Sequence, residues 1–223
     1  MKIIDRLQIV NNLSKKFFME QAFLEAYRAM GTTGKNPNVG CVLVKNNFII
    51  GRARTSPGGR PHAEENLISK MTKTELKDSS LFITLEPCAH KGINGTSCAE
   101  LISKSGIKEV FVSNLDPDLR TSGQGLEILR KSKINIYSDF LTNKGIDLNI
   151  GYLTNCLSNR PFVTIKLAIS LDGKIALKNK NSKWISNQLS RNFGHMIRAQ
   201  SDGILTTNST IAEDNSILTC ILN

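Results

Sequence analysis

Short strand-like runs alternate with helix-like segments along the first two thirds of the sequence, and this alternation narrows the range of folds more than any other feature. Each run is apolar, rich in β-branched residues and bounded by turn or loop signals. The runs are Val39–Val44, Phe48–Gly51, Leu81–Leu85, Glu109–Ser113 and Ile134–Tyr137. Strands that alternate with helices predict a three-layer α/β domain, in which helices cover both faces of one sheet.

Capping and periodicity signals place the helices between these runs. Ser14 is a predicted N-cap for a helix that runs to about Met30, because apolar residues recur every four positions behind it. Ser97 and Glu100 have capping-box spacing, which predicts a helix from Cys98 to Lys104. His62 opens a further helical segment after a loop that contains proline and glycine.

The pattern changes after about residue 150 and predicts four segments: an N-terminal extension of residues 1–13, a first domain of residues 14–150, a linker of residues 151–160 and a partial second domain of residues 161–223. The second domain is expected to contain strands at Phe162–Ile169 and Gly203–Thr206 and a helix at Leu189–Ala199. A βαβ piece of this size leaves a sheet edge uncovered, which predicts dimerisation or instability.

Composition and charge exclude several classes of protein. The 223 residues are 40% hydrophobic, which is typical of a globular chain and excludes a disordered one. There is no apolar run of about 18 residues and no signal-peptide core, so we expect a soluble, cytoplasmic protein without a membrane partner. The formal net charge of +10 suits nucleic acid or a phosphorylated small molecule. Because the lysines are spread along the chain, the charge does not favour nucleic acid.

One histidine and two cysteines have the residue types and the order of a zinc site. His62 stands at a predicted helix start, Cys88 follows a predicted strand, and Cys98 comes ten residues later. We expect both cysteines to lie at helix starts, where the helix dipole favours a thiolate. Three protein ligands leave the fourth position of a zinc tetrahedron open, which is the arrangement of a catalytic site.

Glu64, two residues after His62, completes the H-x-E…P-C pattern of zinc deaminases. In that pattern the carboxylate moves a proton from a zinc-activated water to the departing ammonia, so the predicted reaction is hydrolytic deamination. Each of the two motifs alone has an ordinary structural explanation, since H-x-E is common in proteins and the cysteine of a Pro-Cys pair is usually a buried thiol. The order of the pieces and their strand and helix contexts favour the deaminase.

Longer motifs resemble the bifunctional deaminase/reductase family of riboflavin biosynthesis (RibD type). The first half carries NPNVGCV at Asn36–Val42, GRPHAE at Gly59–Glu64 and TLEPCAHKG at Thr84–Gly92, and the second half carries SLDGK at Ser170–Lys174. The long gap between Cys88 and Cys98 is also typical of this family, because cytidine and tRNA deaminases place two residues between their cysteines.

The resemblance implies a cytidine-deaminase-like domain followed by the start of a dihydrofolate-reductase-like α/β domain. It implies two steps, deamination of a diaminopyrimidinone that carries a ribosylamino phosphate and then NADPH-dependent reduction of its ribose. The implied site residues are His62, Cys88 and Cys98 for Zn²⁺, Glu64 for proton transfer, Ala168, Trp184, Thr210 and Asp214 for NADPH, and Ser182, Arg198 and Leu218 for the phosphorylated substrate. Asn36 is expected to shape the first pocket because it lies near the ligands.

The sequence departs from the family pattern at two places. The step from Cys88 to Cys98 is ten residues, where the family usually has nine. Ile221 stands where the family carries a substrate-phosphate arginine, and the family's reductase half continues beyond Asn223. The sequence therefore predicts an active deaminase beside a compromised reductase.

Two alternatives remain open at this stage. The first is a zinc-dependent nucleoside or tRNA deaminase on the same fold, which the basic charge permits. The second is a non-catalytic, zinc-stabilised binding module, which would unfold when the metal is chelated.

Overall fold

The computed structural model divides into two compact units, residues 1–162 and residues 163–223. The structure describes residues 3–90, 95–179 and 184–220, with side chains described from residue 13 onward. Within these ranges, no helix has the length and apolar character needed to cross a bilayer.

A five-stranded sheet with helices around it forms the first unit. The strands, in spatial order β2-β1-β3-β4-β5, are β1 (Gly40–Lys45), β2 (Phe48–Arg54), β3 (Ser80–Leu85), β4 (Glu109–Asn114) and β5 (Asn135–Tyr137). The helices are α1 (Ile3–Tyr27), α2 (Ala63–Ile68), α3 (Lys73–Leu76), α4 (Cys98–Ser105), α5 (Gln124–Lys131), α6 (Thr142–Leu148) and α7 (Ile150–Ser158). All five strands predicted from the sequence are therefore present, with bounds that differ by three residues at most.

Strand direction brings four connections to one edge of the sheet. β1 runs antiparallel to both β2 and β3, whereas β3 pairs with β4 and β4 with β5 in parallel. The start of β1 and the ends of β2, β3 and β4 consequently lie at the same edge. The loops that carry the candidate ligands leave or enter the sheet there.

Side chains alternate across the strands and form two apolar cores. On one face Val42, Phe82 and Phe111 pack against α1 and the end of α6. On the other face Leu43 and Ile83 pack with apolar residues from α2, α4 and α5. Helices thus cover both faces of the sheet, and the predicted three-layer α/β fold is confirmed.

Two boundaries of the first unit differ from the expectations. α1 begins at Ile3, so the predicted start at Ser14 is wrong and most of the expected extension of residues 1–13 is helical. No glycine or proline interrupts this stretch, and nothing in the sequence stops the helix from extending towards the N-terminus. Most of the expected linker, residues 151–160, belongs to α7, because Tyr152 packs against the core of the first unit.

The second unit contains α8 (Gln188–Ala199) and α9 (Asn208–Asp214), and α8 confirms the predicted helix. The strands expected at Phe162–Ile169 and Gly203–Thr206 do not pair in the described part of this unit. A strand is held by hydrogen bonds to a neighbouring strand, and the two runs lack such a ladder here. The expected dimerisation remains a prediction.

The contact between α1 and β1 yields a stability prediction. A Cβ atom at Gly40 would collide with the carbonyl oxygen of Ala22 and the backbone nitrogen of Ala26, both rigid parts of α1. Gly40→Ala should therefore lower the free energy of unfolding by about 1–3 kcal/mol, as overpacked cores do. Denaturant unfolding followed by far-UV circular dichroism measures this change.

Gly151→Ala is the matched control, because a Cβ atom there meets no atom within 4 Å and the residue lies in α7. We expect this variant to keep or slightly raise the free energy of unfolding, since alanine is the better helix former. Equal stability of the two variants would contradict the close approach of α1 to β1.

Candidate metal centre and pocket

The three predicted ligands meet at the edge of the sheet where the loops converge. The Nδ1 atom of His62 lies 3.6 Å from the Sγ atom of Cys88 and 3.4 Å from the Sγ atom of Cys98. All three donor atoms lie within 4.8 Å of one another. Zinc bonds of about 2.0–2.3 Å in a tetrahedron place neighbouring donor atoms roughly 3.5 Å apart, so this donor set fits zinc.

Two of the ligands are positioned by helix starts that side chains define. His62 precedes α2, and its backbone N–H donates to the Glu65 carboxylate at 2.7 Å. Cys98 is the first residue of α4, where the Ser97 N–H donates to Glu100 at 3.0 Å and the Glu100 N–H donates back to the Ser97 hydroxyl at 3.2 Å. These are capping boxes, and the one at α4 is the one that the sequence predicts.

Cys88 differs from the expectation, because it lies in the non-helical loop after β3 and not at a helix start. Its thiolate is stabilised by direct contacts instead of a helix dipole. Hydrogen bonds from Cys98 and His62 lower the pKa of Cys88 to about 4 against the opposing effect of burial. The hydrogen bond to Cys88 raises the pKa of the Cys98 thiol, and burial adds to this shift.

Glu64 lies in α2, is 3% exposed and lines a pocket together with His62 and Cys88. Burial raises the pKa of Glu64 to about 7, while His62 opposes the shift and Cys88 adds to it. A carboxyl group with a pKa near neutrality can both accept and give up a proton, which is what a proton shuttle requires.

The pocket combines predicted residues with residues that the sequence analysis did not assign. Asn36 lines it as expected, and Cys98 lies behind the wall at 1% exposed. The unassigned lining residues with a carboxylate, a hydroxyl group or a permanently cationic side chain are Lys35, Thr55, Glu86, Asp116, Asp118, Arg120 and Tyr152. Asp116 could have been found, because it follows a strand parallel to the one before Cys88 and so emerges at the same edge. No sequence pattern marks Tyr152 as a pocket residue.

A glycine makes room for Asn36. Gly59 has a φ angle of +87°, and a Cβ atom at this position would collide with the Asn36 side chain. The Thr33 hydroxyl donates to the carbonyl oxygen of Asn36 at 2.8 Å and fixes the loop before β1. The left-handed backbone at Gly59, which favours glycine, therefore leaves the space that the Asn36 side chain occupies beside the pocket.

Glu86 organises the wall that contains Asp116. Its buried carboxylate accepts backbone N–H groups of Asp116 at 3.3 Å, Gly123 at 3.1 Å and Leu126 at 3.2 Å. The loop after β4 and the start of α5 are therefore tied to the residue two positions before Cys88. Glu86 itself lines the pocket, and its three backbone partners make it a structural residue of the wall.

The predicted residues of the second unit lie on loops and helix ends. Trp184 is 70% exposed, with the Arg191 guanidinium 4.4 Å from its ring centroid. Thr210 and Asp214 belong to α9, while Arg198 on α8 donates to the carbonyl oxygen of Thr219. Ala168 and Leu218 are half-buried. Ser182 and Ile221 lie outside the described residues, and the roles of this set towards NADPH or substrate remain predictions.

Two family models match the chain. Residues 13–114 match the cytidine and deoxycytidylate deaminase zinc-binding region, and residues 161–223 match the RibD C-terminal domain. The riboflavin biosynthesis protein RibD of Escherichia coli is 34% identical over 93% of this chain and 56% of its own length. The RibD protein of Bacillus amyloliquefaciens is 38% identical over 93% of this chain and 56% of its own length. The chain thus spans little more than half the length of these curated relatives.

Solved structures give the same match. A diaminohydroxyphosphoribosylaminopyrimidine deaminase/5-amino-6-(5-phosphoribosylamino)uracil reductase from Thermotoga maritima is 36% identical, with a TM-score of 0.89 over 94% of this chain and 60% of that one. RibD from Acinetobacter baumannii is 33% identical, with a TM-score of 0.85 over 93% of this chain and 58% of that one.

The geometry of the cluster predicts how zinc binding depends on its cysteines. Cys98→Ser removes a soft donor atom from the set, so the purified variant should hold well under one zinc ion per chain. Cys220→Ser is the matched control, because Cys220 is exposed and lies in the second unit. Metal analysis by mass spectrometry compares both variants with the wild type, and full zinc content in Cys98→Ser would contradict the assignment.

Proposed function

The chain belongs to the RibD type of riboflavin biosynthesis proteins, and from this premise we propose that residues 14–150 deaminate a phosphorylated diaminopyrimidinone with the help of zinc. The substrate is 2,5-diamino-6-ribosylamino-4(3H)-pyrimidinone 5′-phosphate, and the product is 5-amino-6-(5-phosphoribosylamino)uracil. The observation that carries the proposal is the meeting of His62, Cys88, Cys98 and the buried Glu64 beside one pocket.

In this proposal His62, Cys88 and Cys98 hold the zinc ion and Glu64 handles the proton. Zinc bound there supplies the Lewis acidity that lets water act as a nucleophile at neutral pH. Glu64 takes a proton from the attacking water and delivers it to the exocyclic nitrogen. The C–N bond then breaks, ammonia leaves, and the second proton of the water passes to the adjacent ring nitrogen, so that the water oxygen remains as the new carbonyl. A Glu64 pKa of about 7 suits both transfers.

The pocket walls suit a ligand that has both amine groups and a phosphate. Asn36 and Asp116 offer oxygen acceptors to the N–H groups of a diaminopyrimidinone ring. Lys35 adds positive charge to the same pocket, which favours a phosphate, while the Arg120 guanidinium is paired with the Asp118 carboxylate.

For residues 161–223 we propose a contribution to an NADPH-dependent reduction of the ribosyl chain. The support is the match of this segment to the RibD C-terminal domain. In this proposal Ala168, Trp184, Thr210 and Asp214 contact NADPH, and Arg198 and Leu218 contact the phosphorylated substrate together with Ser182. A cytoplasmic location is part of the same proposal.

Glu64→Gln tests the deaminase directly. The amide keeps the size of the side chain but cannot take a proton, so kcat should fall by about 10²–10⁴-fold while zinc content stays at the wild-type level. Glu127→Gln is the matched control, since Glu127 lies in α5 outside the pocket and is half exposed. Ammonia release from the zinc-loaded full chain is the measurement, and an unchanged kcat in Glu64→Gln would remove Glu64 from the reaction.

The same assay separates the proposal from its alternatives. Ammonia released from tRNA, together with salt-sensitive tRNA binding, would favour a tRNA deaminase. A zinc-loaded chain that releases no ammonia from any amine substrate and unfolds on chelation would favour the binding module.

NADPH binding can be followed through Trp184, the single tryptophan of the chain. We expect NADPH to quench the fluorescence of Trp184 in a saturable manner, because the nucleotide lies near the indole in the proposed site. Asp214→Ala should weaken the apparent affinity about 3- to 10-fold, the effect of one lost hydrogen bond. Asp202→Ala serves as the acidic control and should bind as the wild type does. Quenching that never saturates would speak against the site.

A further inference from the structure

We infer that Asn149 and Tyr152, at the junction of α6 and α7, hold two opposite walls of the pocket in place and act as positioning residues for substrate binding. We call this pair the α6–α7 clasp. The inference rests on the proposed deaminase function. It assigns a role to Tyr152, in the segment 151–160 that the sequence pattern predicts as a linker, and to Asn149 just before that segment.

Asn149 holds the wall that contains Asn36. Its side-chain oxygen accepts the backbone N–H of Asn38 at 2.7 Å, and its side-chain nitrogen donates to the carbonyl oxygen of Asn38 at 3.1 Å. The amide therefore satisfies both backbone groups of one residue, as a neighbouring strand would. Asn149 is 3% exposed, and residues 35–37, immediately before Asn38, line the pocket.

Tyr152 holds the wall that contains Asp116. Its hydroxyl group donates to the Oδ1 atom of Asp116 at 2.8 Å, and the backbone N–H of Asp118 donates to the same oxygen at 3.0 Å. Among the described residues, these bonds reach Oδ1 alone, which leaves Oδ2 as an acceptor for an N–H group of a ligand. Tyr152 and Asp116 both line the pocket, so the bond fixes the carboxylate where a ligand can meet it.

The hydroxyl group of Tyr152 also favours the charged form of this carboxylate. Burial raises the pKa of Asp116, and the hydrogen bonds from Asp118 and Tyr152 oppose that shift. Burial raises the pKa of Tyr152 as well, so the phenol keeps its proton and remains a donor. A charged, oriented acceptor binds an amine more tightly than a protonated or rotating one.

The clasp acts on the pocket without touching the zinc ligands. Its bonds run to Asn38 and Asp116, whereas His62 and Cys98 stand at helix starts and Cys88 lies in the loop after β3. Weakening the clasp should therefore change how tightly the substrate is held and leave proton transfer at Glu64 intact. In kinetic terms, KM rises and kcat stays, because the lost interaction serves the ground state and the transition state equally.

Tyr152→Phe is the central variant, since it removes only the hydroxyl group. In the zinc-loaded full chain, KM for the diaminopyrimidinone phosphate should rise about 3- to 10-fold, with kcat within about twofold and zinc content unchanged. Asn149→Ala should raise KM through the other wall. If Asn149→Ala fails to fold, the KM of Tyr152→Phe alone tests the positioning role.

Two controls separate positioning from a general structural effect. Tyr137→Phe makes the same chemical change in β5, where the ring stacks on Phe111 in the core on the α1 side, and it should leave KM unchanged. In an Asp116→Ala background, Tyr152→Phe should add no further rise in KM, because Tyr152 acts through that carboxylate.

The outcomes are distinct. Wild-type turnover with an unchanged KM in Tyr152→Phe overturns the clasp and leaves the deaminase standing. A full further rise of KM in the Asp116→Ala background also overturns it, because Tyr152 would then act elsewhere. A zinc-loaded wild type that releases no ammonia overturns the proposed function, and the positioning role is lost with it.

Discussion

The parallel ladder between β3 and β4, in register from Ser80 opposite Glu109 to Leu85 opposite Asn114, sends both strands out of the sheet at one edge. Cys88 and Asp116 follow these exits directly, so a metal ligand and a pocket carboxylate become neighbours. A slip of one residue would turn every side chain of a strand to the other face. The two apolar cores would then exchange partners, and the loops would no longer converge. The core and the candidate site therefore depend on the same set of hydrogen bonds.

Local sequence patterns are sufficient to predict most of the helices and strands of the first unit. A strand such as Leu81–Leu85 is buried on both faces, so its continuous apolar sequence marks it. The capping box at Ser97 and Glu100 defines the start of α4 by chemistry that lies within four residues. The candidate zinc site could be predicted from the sequence for a similar reason, because few types of side chain bind zinc and the chain has only three histidines. Order and residue type therefore predicted a ligand set whose three donor atoms the structure brings together.

Contacts between distant parts of the chain could not be predicted in this way. Asn149 and Asn38 are 111 residues apart, and no periodicity records that an asparagine will pair with a particular backbone. α7 was missed because its signal was weak in sequence and its stability comes from Tyr152 packing on a distant core. In the second unit the sequence pattern predicted an element that the structure does not show. The apolar run Phe162–Ile169 is strand-like, but a strand forms only beside a neighbouring strand, and a local pattern does not reveal whether one is there.

The capping boxes at the starts of α2 and α4 fix the backbone at two of the predicted metal ligands. Glu65 accepts the backbone N–H of His62 and Glu100 accepts that of Ser97, so groups of the protein within three residues set the start of each helix. Because these caps and the packing of both helices on the sheet fix the backbone at His62 and Cys98, metal binding does not have to order those two elements. Cys98 is also only 1% exposed at the start of α4, which limits the access of oxidants to its thiol.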